Sequence, residues 1–105
     1  MKLQSFEEVN FAGFDDNVIK QIKEDCLRFV NFKFALNCNE CELSITGAVF
    51  NNNNNYYLYK IKGGLDVQVT PKHRNNLCYE YGIMIFEEDD MIKFHVYHNG
   101  HGPFC

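Results

Sequence analysis

The first residues whose spacing suggests chemistry are two cysteines in the stretch "LNCNECEL". Cys38 and Cys41 enclose two polar residues, which is the spacing at which two thiolates hold one side of a tetrahedral zinc ion. The other two ligands would have to come from later cysteines and histidines: Cys78, His95, His98, His101 or Cys105. However, no second Cys-x-x-Cys pair follows, and Asn37 and Asn39 tolerate the left-handed backbone of a tight turn. We therefore predict a hairpin turn with no metal or cofactor, and keep a small zinc-binding interaction module as the alternative.

The histidines suggest acid–base chemistry. His95 lies beside Lys93 and Tyr97 in "MIKFHVYH", and His73 lies in the basic stretch "PKHRNN". Two histidines acting as base and acid can cleave RNA, but nothing in the sequence brings His73 near His95. The chain also lacks a Gly-rich phosphate loop and a Gly-x-Ser-x-Gly elbow, the signatures of common enzyme classes. We predict that the protein is not an enzyme, with a small hydrolase or nuclease using His95 and His73 as the alternative.

The charge balance points to a basic protein as the partner. Ten Lys and Arg stand against fourteen Asp and Glu, a net charge of −4, and such a chain repels phosphate backbones. Direct nucleic-acid binding is therefore not expected. The most concentrated charge is Glu87, Glu88, Asp89 and Asp90, which form either a solvated hairpin tip or a docking site for a basic surface.

Three tyrosines are candidates to join that docking site. Tyrosine is enriched in interface cores because it combines a large contact area with a polar tip. The predicted partner-binding residues are Glu87, Glu88, Asp89, Asp90, Tyr56, Tyr57 and Tyr59.

The length and composition indicate a single cytoplasmic domain, residues 1–105. The N-terminal stretch "MKLQSFEEVNF" lacks the apolar core of a signal peptide, and no apolar run approaches the roughly 20 residues of a membrane span. Five cysteines are an odd number without framework spacing, which favours free thiols in a reducing compartment. We expect a monomer, or a homodimer through a sheet edge.

The elements that must position these residues begin with helices. Ser5 and Glu8 fit a capping box, and Gly13 is suited to end a short first helix. Asp15 or Asp16 then offers a second N-cap. Apolar residues recur at helical spacing after it, which predicts a helix over residues 15 to 29: Val18, Ile19, Ile22, Cys26 and Phe29.

From Phe32 onward the pattern alternates as in antiparallel strands. Gly63-Gly64 separates two alternating runs and predicts a two-residue hairpin, and the acidic run at 87–90 predicts a second hairpin turn. The fold class predicted is α+β, with one or two N-terminal helices packed on an antiparallel five- or six-stranded meander.

These features resemble a known class of proteins. The helix, the meander and the carboxylate cluster in a small acidic chain without a catalytic signature are similar to bacterial immunity proteins of the contact-dependent growth inhibition type. The resemblance implies a protein-binding inhibitor that neutralises a cognate toxin, with a basic, nuclease-like toxin as the expected partner. It carries no motif that assigns individual site residues.

The cysteine pair gives the first testable prediction. Protein purified without added zinc should contain far less than one equivalent of the metal, and the double variant Cys38→Ser, Cys41→Ser should keep its fold. A structural zinc contributes folding free energy directly. A stoichiometric zinc content that disappears in the double variant would contradict the hairpin-turn interpretation.

Overall fold

A computed structural model describes residues 2–11, 13–32, 42–45, 54–71 and 80–98. These residues contain one α-helix, one turn of 3-10 helix and six strands. The helix α1 spans Asp16–Phe29 and the 3-10 turn spans Phe6–Glu8. The strands are β1 Lys2–Leu3, β2 Glu42–Ile45, β3 Asn54–Ile61, β4 Gly64–Pro71, β5 Tyr81–Glu88 and β6 Met91–His98.

The strands form one mixed sheet in the order β1-β6-β5-β4-β3-β2. Strands β2 to β6 pair antiparallel with their neighbours in sequence. Strand β1 pairs parallel with β6, placing Leu3 opposite Ile92. The α+β class is confirmed, but the prediction of a purely antiparallel sheet is wrong. A two-residue strand carries no periodicity that would have revealed it.

The helix α1 begins where the sequence indicated. Asp15 caps it, with its side chain accepting a hydrogen bond from the Val18 amide at 3.0 Å, and thereby satisfies one of the amide groups left unpaired at a helix start. The helix is not the first element, because β1 and the 3-10 turn precede it. The prediction of helices at the start of the chain is corrected accordingly.

The first predicted helix is only a single 3-10 turn. Ser5 caps it, but its hydroxyl accepts from the Glu7 amide at 3.3 Å rather than from Glu8. The turn ends at Glu8, and Gly13 lies beyond it with a φ of 91°. Gly13 therefore serves the connection to α1 rather than the end of a helix.

One face of the sheet carries the apolar core. Residues paired across strands lie on the same face of a sheet, and this face collects the buried apolar members of β3 to β6: Tyr56, Leu58, Leu65, Val67, Val69, Tyr81, Ile83, Ile85, Ile92 and Phe94. Three residues of α1 belong to the same core cluster, namely Ile22, Cys26 and Phe29. We call this face of the sheet the helix face.

Two tight turns set the register of the longer strands. Ile61 pairs with Gly64, so the first turn consists of Lys62 and Gly63, one residue earlier than predicted. Gly63 has a φ of 78°, which glycine adopts without steric cost. The second turn consists of Asp89 and Asp90, with φ values of 55° and 60°. Aspartate is among the few residues that tolerate this left-handed conformation, and two such residues match the type I′ hairpin turn.

No α-helix among the described residues is long and apolar enough to cross a lipid bilayer.

The helix gives the second prediction. Ile22 is fully buried and Leu27 is 52% exposed on the same helix. Ile22→Ala should lower the free energy of unfolding by about 2–4 kcal/mol, through lost burial and the cavity left behind. Leu27→Ala is the control and should change it by about 0.5 kcal/mol or less. Denaturant unfolding measures both, and equal losses at the two positions would contradict the assignment of the buried stripe.

Candidate partner-binding surface

The second face of the sheet carries a different set of side chains. Among the described elements, α1 packs on the helix face, and the alternate residues of β3 to β6 point the other way. They form transverse rows, because each pairs directly with the next strand. We call this the aromatic face, made of Tyr57, Tyr59, Asp66, Gln68, Met84, Phe86, Lys93, His95 and Tyr97.

The side chains of the aromatic face are accessible. All of them are partly exposed, and His95 is the most open. Of the three tyrosines predicted to bind a partner, Tyr57 and Tyr59 lie here. Tyr56 is fully buried on the helix face. It therefore belongs to the core and does not contribute to this surface.

A tyrosine and an aspartate fix the centre of the aromatic face. Tyr97 pairs with Gly82 across β5 and β6, and its hydroxyl donates to Asp66 Oδ1 at 2.5 Å. Asp66 is on β4, so the Tyr97 side chain reaches over β5. Glycine at position 82 permits this, because a Cβ there would overlap the Tyr97 ring. The ring passes over Gly82, and its hydroxyl holds the Asp66 carboxylate in place.

The neighbours of this pair are polar and aromatic. Gln68 Nε2 lies 3.4 Å from Asp66 Oδ2, and Tyr59 is the direct cross-strand partner of Asp66. The His95 ring stacks on Tyr97, with centroids 6.2 Å apart and planes inclined by 22°. A carboxylate is thus set among aromatic rings near the middle of the face.

The acidic run from Glu87 to Asp90, here called the acidic turn, adjoins one end of the aromatic face. Glu88 pairs with Met91, and both lie on the same side of the sheet as Phe86 and Lys93. Lys93 Nζ lies 2.9 Å from Glu88 Oε1 and 3.4 Å from Asp89 Oδ2. The hydrogen bond to Glu88 is the main cause that raises the pKa of Lys93. Such exposed pairs contribute little to stability, so the charges of this turn are not needed by the fold.

The four carboxylates of the turn do not share one side. Glu87 lies on the side of the helix face, whereas Glu88 lies on the side of the aromatic face. Asp89 and Asp90 form the turn itself and are exposed. All four residues of the predicted hairpin tip are exposed, and of Glu87 and Glu88 only Glu88 lies on the side of the aromatic face. Their predicted role in partner binding stays a prediction.

Six cysteines and histidines considered above as zinc ligands or as acid–base groups lie outside the described residues. These are Cys38, Cys41, His73, Cys78, His101 and Cys105. Within the described ranges, no group of three or more metal-ligating side chains is close enough to hold an ion. His98 stacks on Phe14, with ring centroids 4.1 Å apart, and His95 lies on the aromatic face. The zinc and His73–His95 alternatives therefore stay predictions.

A buried polar cluster beneath α1 was not predicted from the sequence. Asp25 is fully buried and accepts hydrogen bonds from the hydroxyls of Tyr56, at 2.9 Å, and Tyr81. Arg28 forms an ion pair with it at 2.9 Å, and Gln21 donates at 3.1 Å. The signal was available: residue 25 falls on the buried stripe of α1, where an acidic side chain requires partners.

Burial governs the ionisation of this cluster. Desolvation raises the pKa of Asp25 above its usual range, against the opposing effect of the hydrogen bonds from Tyr81, Tyr56 and Gln21 and the charge of Arg28. Burial also raises the pKa of both tyrosines and raises the pKa of the Cys26 thiol to about 12. Asp25, Tyr56 and Tyr81 are fully buried, whereas the Arg28 side chain is 29% exposed, so the cluster joins the helix to the sheet with its carboxyl group shielded from solvent.

Comparison with known proteins adds no family: no family model, no curated protein and no solved structure matches the chain.

The buried cluster gives the third prediction. The folded pKa of Asp25 is raised, so the unfolded chain loses this proton first as the pH rises. The contribution of Asp25 to stability should be complete below its unfolded pKa of about 3.9 and should decline as the pH rises towards the folded pKa. The free energy of unfolding of the wild type, measured relative to Asp25→Asn, should therefore fall between acidic and neutral pH.

The quantity to compare is the change with pH of the difference in unfolding free energy between the wild type and Asp25→Asn. Its absolute size is less useful, because the Asn substitution also alters the hydrogen bonds at every pH. Asp16→Asn is the matched control, since Asp16 is exposed on the same helix. If the difference between the wild type and Asp25→Asn instead grew with pH, Arg28 and the tyrosines would outweigh desolvation and the pKa would be lowered.

Proposed function

We propose that the protein is a protein-binding inhibitor, an immunity protein that binds and neutralises a basic, nuclease-like toxin. The observation that carries the proposal is the contact of Lys93 with Glu88 and Asp89. Through it, the acidic turn and the aromatic face form one continuous surface. That surface combines charge for attracting a basic partner with aromatic area for holding it.

The charge of the turn favours a basic partner. Four carboxylates lie at positions 87 to 90 and one ammonium group, that of Lys93, pairs with two of them. Leaving out Glu87, which lies on the side of the helix face, the three carboxylates of Glu88, Asp89 and Asp90 outnumber the single Lys93 ammonium group at this end of the surface. Concentrated charge of one sign speeds the encounter with an oppositely charged protein and disfavours partners of the same sign.

The aromatic face supplies the contact area. It presents three tyrosines, a phenylalanine and a methionine: Tyr57, Tyr59, Tyr97, Phe86 and Met84. These residue types are enriched at protein interfaces, and lysine and glutamate are depleted at interface cores. Apart from Asp66, the charged residues of this surface are Lys93 and the carboxylates of the acidic turn. The surface therefore has a largely aromatic centre and a charged end, comparable with the core and the rim of known interfaces.

The mode of inhibition follows from the chemistry of a nuclease. Such an enzyme binds the phosphates of its substrate with lysine and arginine side chains. Carboxylates at the acidic turn are suited to take the positions of those phosphates. A protein docked in this way excludes the nucleic acid by competition and needs no catalytic group of its own.

The proposal gives the fourth prediction. The triple variant Glu88→Gln, Asp89→Asn, Asp90→Asn should associate with the toxin more slowly, by about tenfold at low salt and by less at high salt. Folding should be nearly unchanged, because asparagine also adopts the left-handed turn conformation and the exposed charges add little stability. The measurement is the association rate against salt concentration, with a cognate toxin domain, to be sought in the reading frame immediately upstream, as the partner.

A matched control separates local charge from net charge. Glu7, Glu8 and Glu24 are exposed, and they belong to the 3-10 turn and to α1 rather than to the β5–β6 hairpin. The variant Glu7→Gln, Glu8→Gln, Glu24→Gln removes the same number of charges and should keep most of the wild-type rate. Equal rates and equal salt dependence for the wild type and the turn variant would show that the acidic run is only a solvated hairpin tip.

A further inference from the structure

We propose that Asp66, at the centre of the aromatic face, is the binding site for an arginine side chain that the partner inserts between Tyr59 and Tyr97. The inference rests on the proposed function and specifies the chemistry of the contact. In this proposal Asp66, which lies outside the acidic turn, determines which partner is bound.

Asp66 has no cationic partner within the part of the chain that the structure describes. Its contacts are the hydrogen bond from the Tyr97 hydroxyl at 2.5 Å and the weaker one from Gln68 at 3.4 Å. No lysine, arginine or histidine among the described residues forms an ion pair with it. An ionised carboxylate offers about four lone-pair sites, so two neutral donors leave acceptor capacity for a charged ligand.

The carboxylate is held in place before any ligand arrives. The Tyr97 side chain crosses β5 above Gly82 to reach it, so that Asp66 is oriented by a residue two strands away. Preorganised groups lose less conformational entropy on binding. Tyr97 is therefore a positioning residue that acts through Asp66, and Gly82 is required because it makes room for the ring.

The surroundings favour arginine over lysine. Tyr59 is the cross-strand neighbour of Asp66, and cross-strand neighbours lie about 5 Å apart. Tyr97 approaches Asp66 from the other side. A planar guanidinium can accept this arrangement, since it donates two parallel hydrogen bonds to a carboxylate while stacking on aromatic rings. An ammonium group is more strongly hydrated and offers no planar fork.

Methionine methyl groups provide local probes for this site. The chain holds three methionines. Met84 is the direct cross-strand neighbour of Asp66, and Met91 is the neighbour of Glu88 at the acidic turn. In protein labelled at the methionine methyls, NMR titration therefore reports separately on the centre of the aromatic face, through Met84, and on the acidic turn, through Met91.

The experiment uses three blocked tripeptides as probes: acetyl-Gly-Arg-Gly-amide and its counterparts with lysine or citrulline in place of arginine. Citrulline keeps the planar shape of arginine without the charge. The arginine peptide should shift the Met84 signal about fivefold more steeply than the citrulline peptide, with lysine between them. Asp66→Asn should abolish this preference, because its amide can still accept from Tyr97 but carries no charge.

Control variants test whether a change of net charge or a loss of the fold explains the result. Glu24→Gln changes the net charge equally at an exposed site on α1 and should keep the full Met84 response. Tyr97→Phe removes the positioning hydroxyl and should weaken the arginine response by about threefold, while the thermal unfolding midpoint shows whether the fold is intact. An unchanged response in Asp66→Asn, or equal responses to arginine and citrulline, would overturn the assignment.

The complex with the toxin domain separates this inference from the function on which it rests. Asp66→Asn should raise the dissociation rate by about tenfold or more with little effect on association, because truncating a buried charge pair acts mainly on dissociation. If Asp66→Asn leaves dissociation unchanged while the turn variant slows association, the arginine site is wrong and the proposed function stands. If no toxin binds but Met84 still prefers arginine, the site stands and the proposed function fails.

Discussion

The carboxylate of Asp25 fixes the position of the helix on the sheet. It accepts from Tyr56 on β3 and from Tyr81 on β5, two strands separated by β4. A buried charge is tolerated only with such partners, and the partners exist in only one arrangement of α1 over the strands. Because strand residues alternate between faces, that arrangement determines which side chains enter the core. The aromatic face then presents the alternate side chains of the same strands, such as Tyr57 on β3 and Tyr97 on β6.

The two faces serve different purposes because of this division. The helix face is a nearly continuous apolar layer that supplies the free energy of folding. The aromatic face holds hydrogen-bonded polar groups such as Asp66 among rings, and the exposed charges beside it add little to stability. Because the exposed residues of this face contribute little to folding, their identities can be set by the requirements of binding a partner. The acidic turn lies at its end without burying any of its four carboxylates.

Features that depend on local periodicity could be predicted from the sequence. Features that depend on contacts between residues far apart in the chain could not. The stripe from Val18 to Phe29 and the Asp15 cap are local, and the structure has them. The run "YYLY" is apolar or aromatic on both faces, so no pattern could show that Tyr56 belongs to the core. The Asp25 cluster and the Tyr97–Asp66 contact join residues 31 to 56 positions apart. Their partners cannot be found without the strand register.

The central claim is that a basic partner docks on the aromatic face and not on the helix. The most direct test is methyl cross-saturation in a complex with the proposed toxin partner, read at the methyl groups of Met84 on the aromatic face and of Leu27, which is 52% exposed on α1. We expect saturation transfer from the partner to Met84 and none to Leu27. Transfer to Leu27 with no effect at Met84 would contradict it.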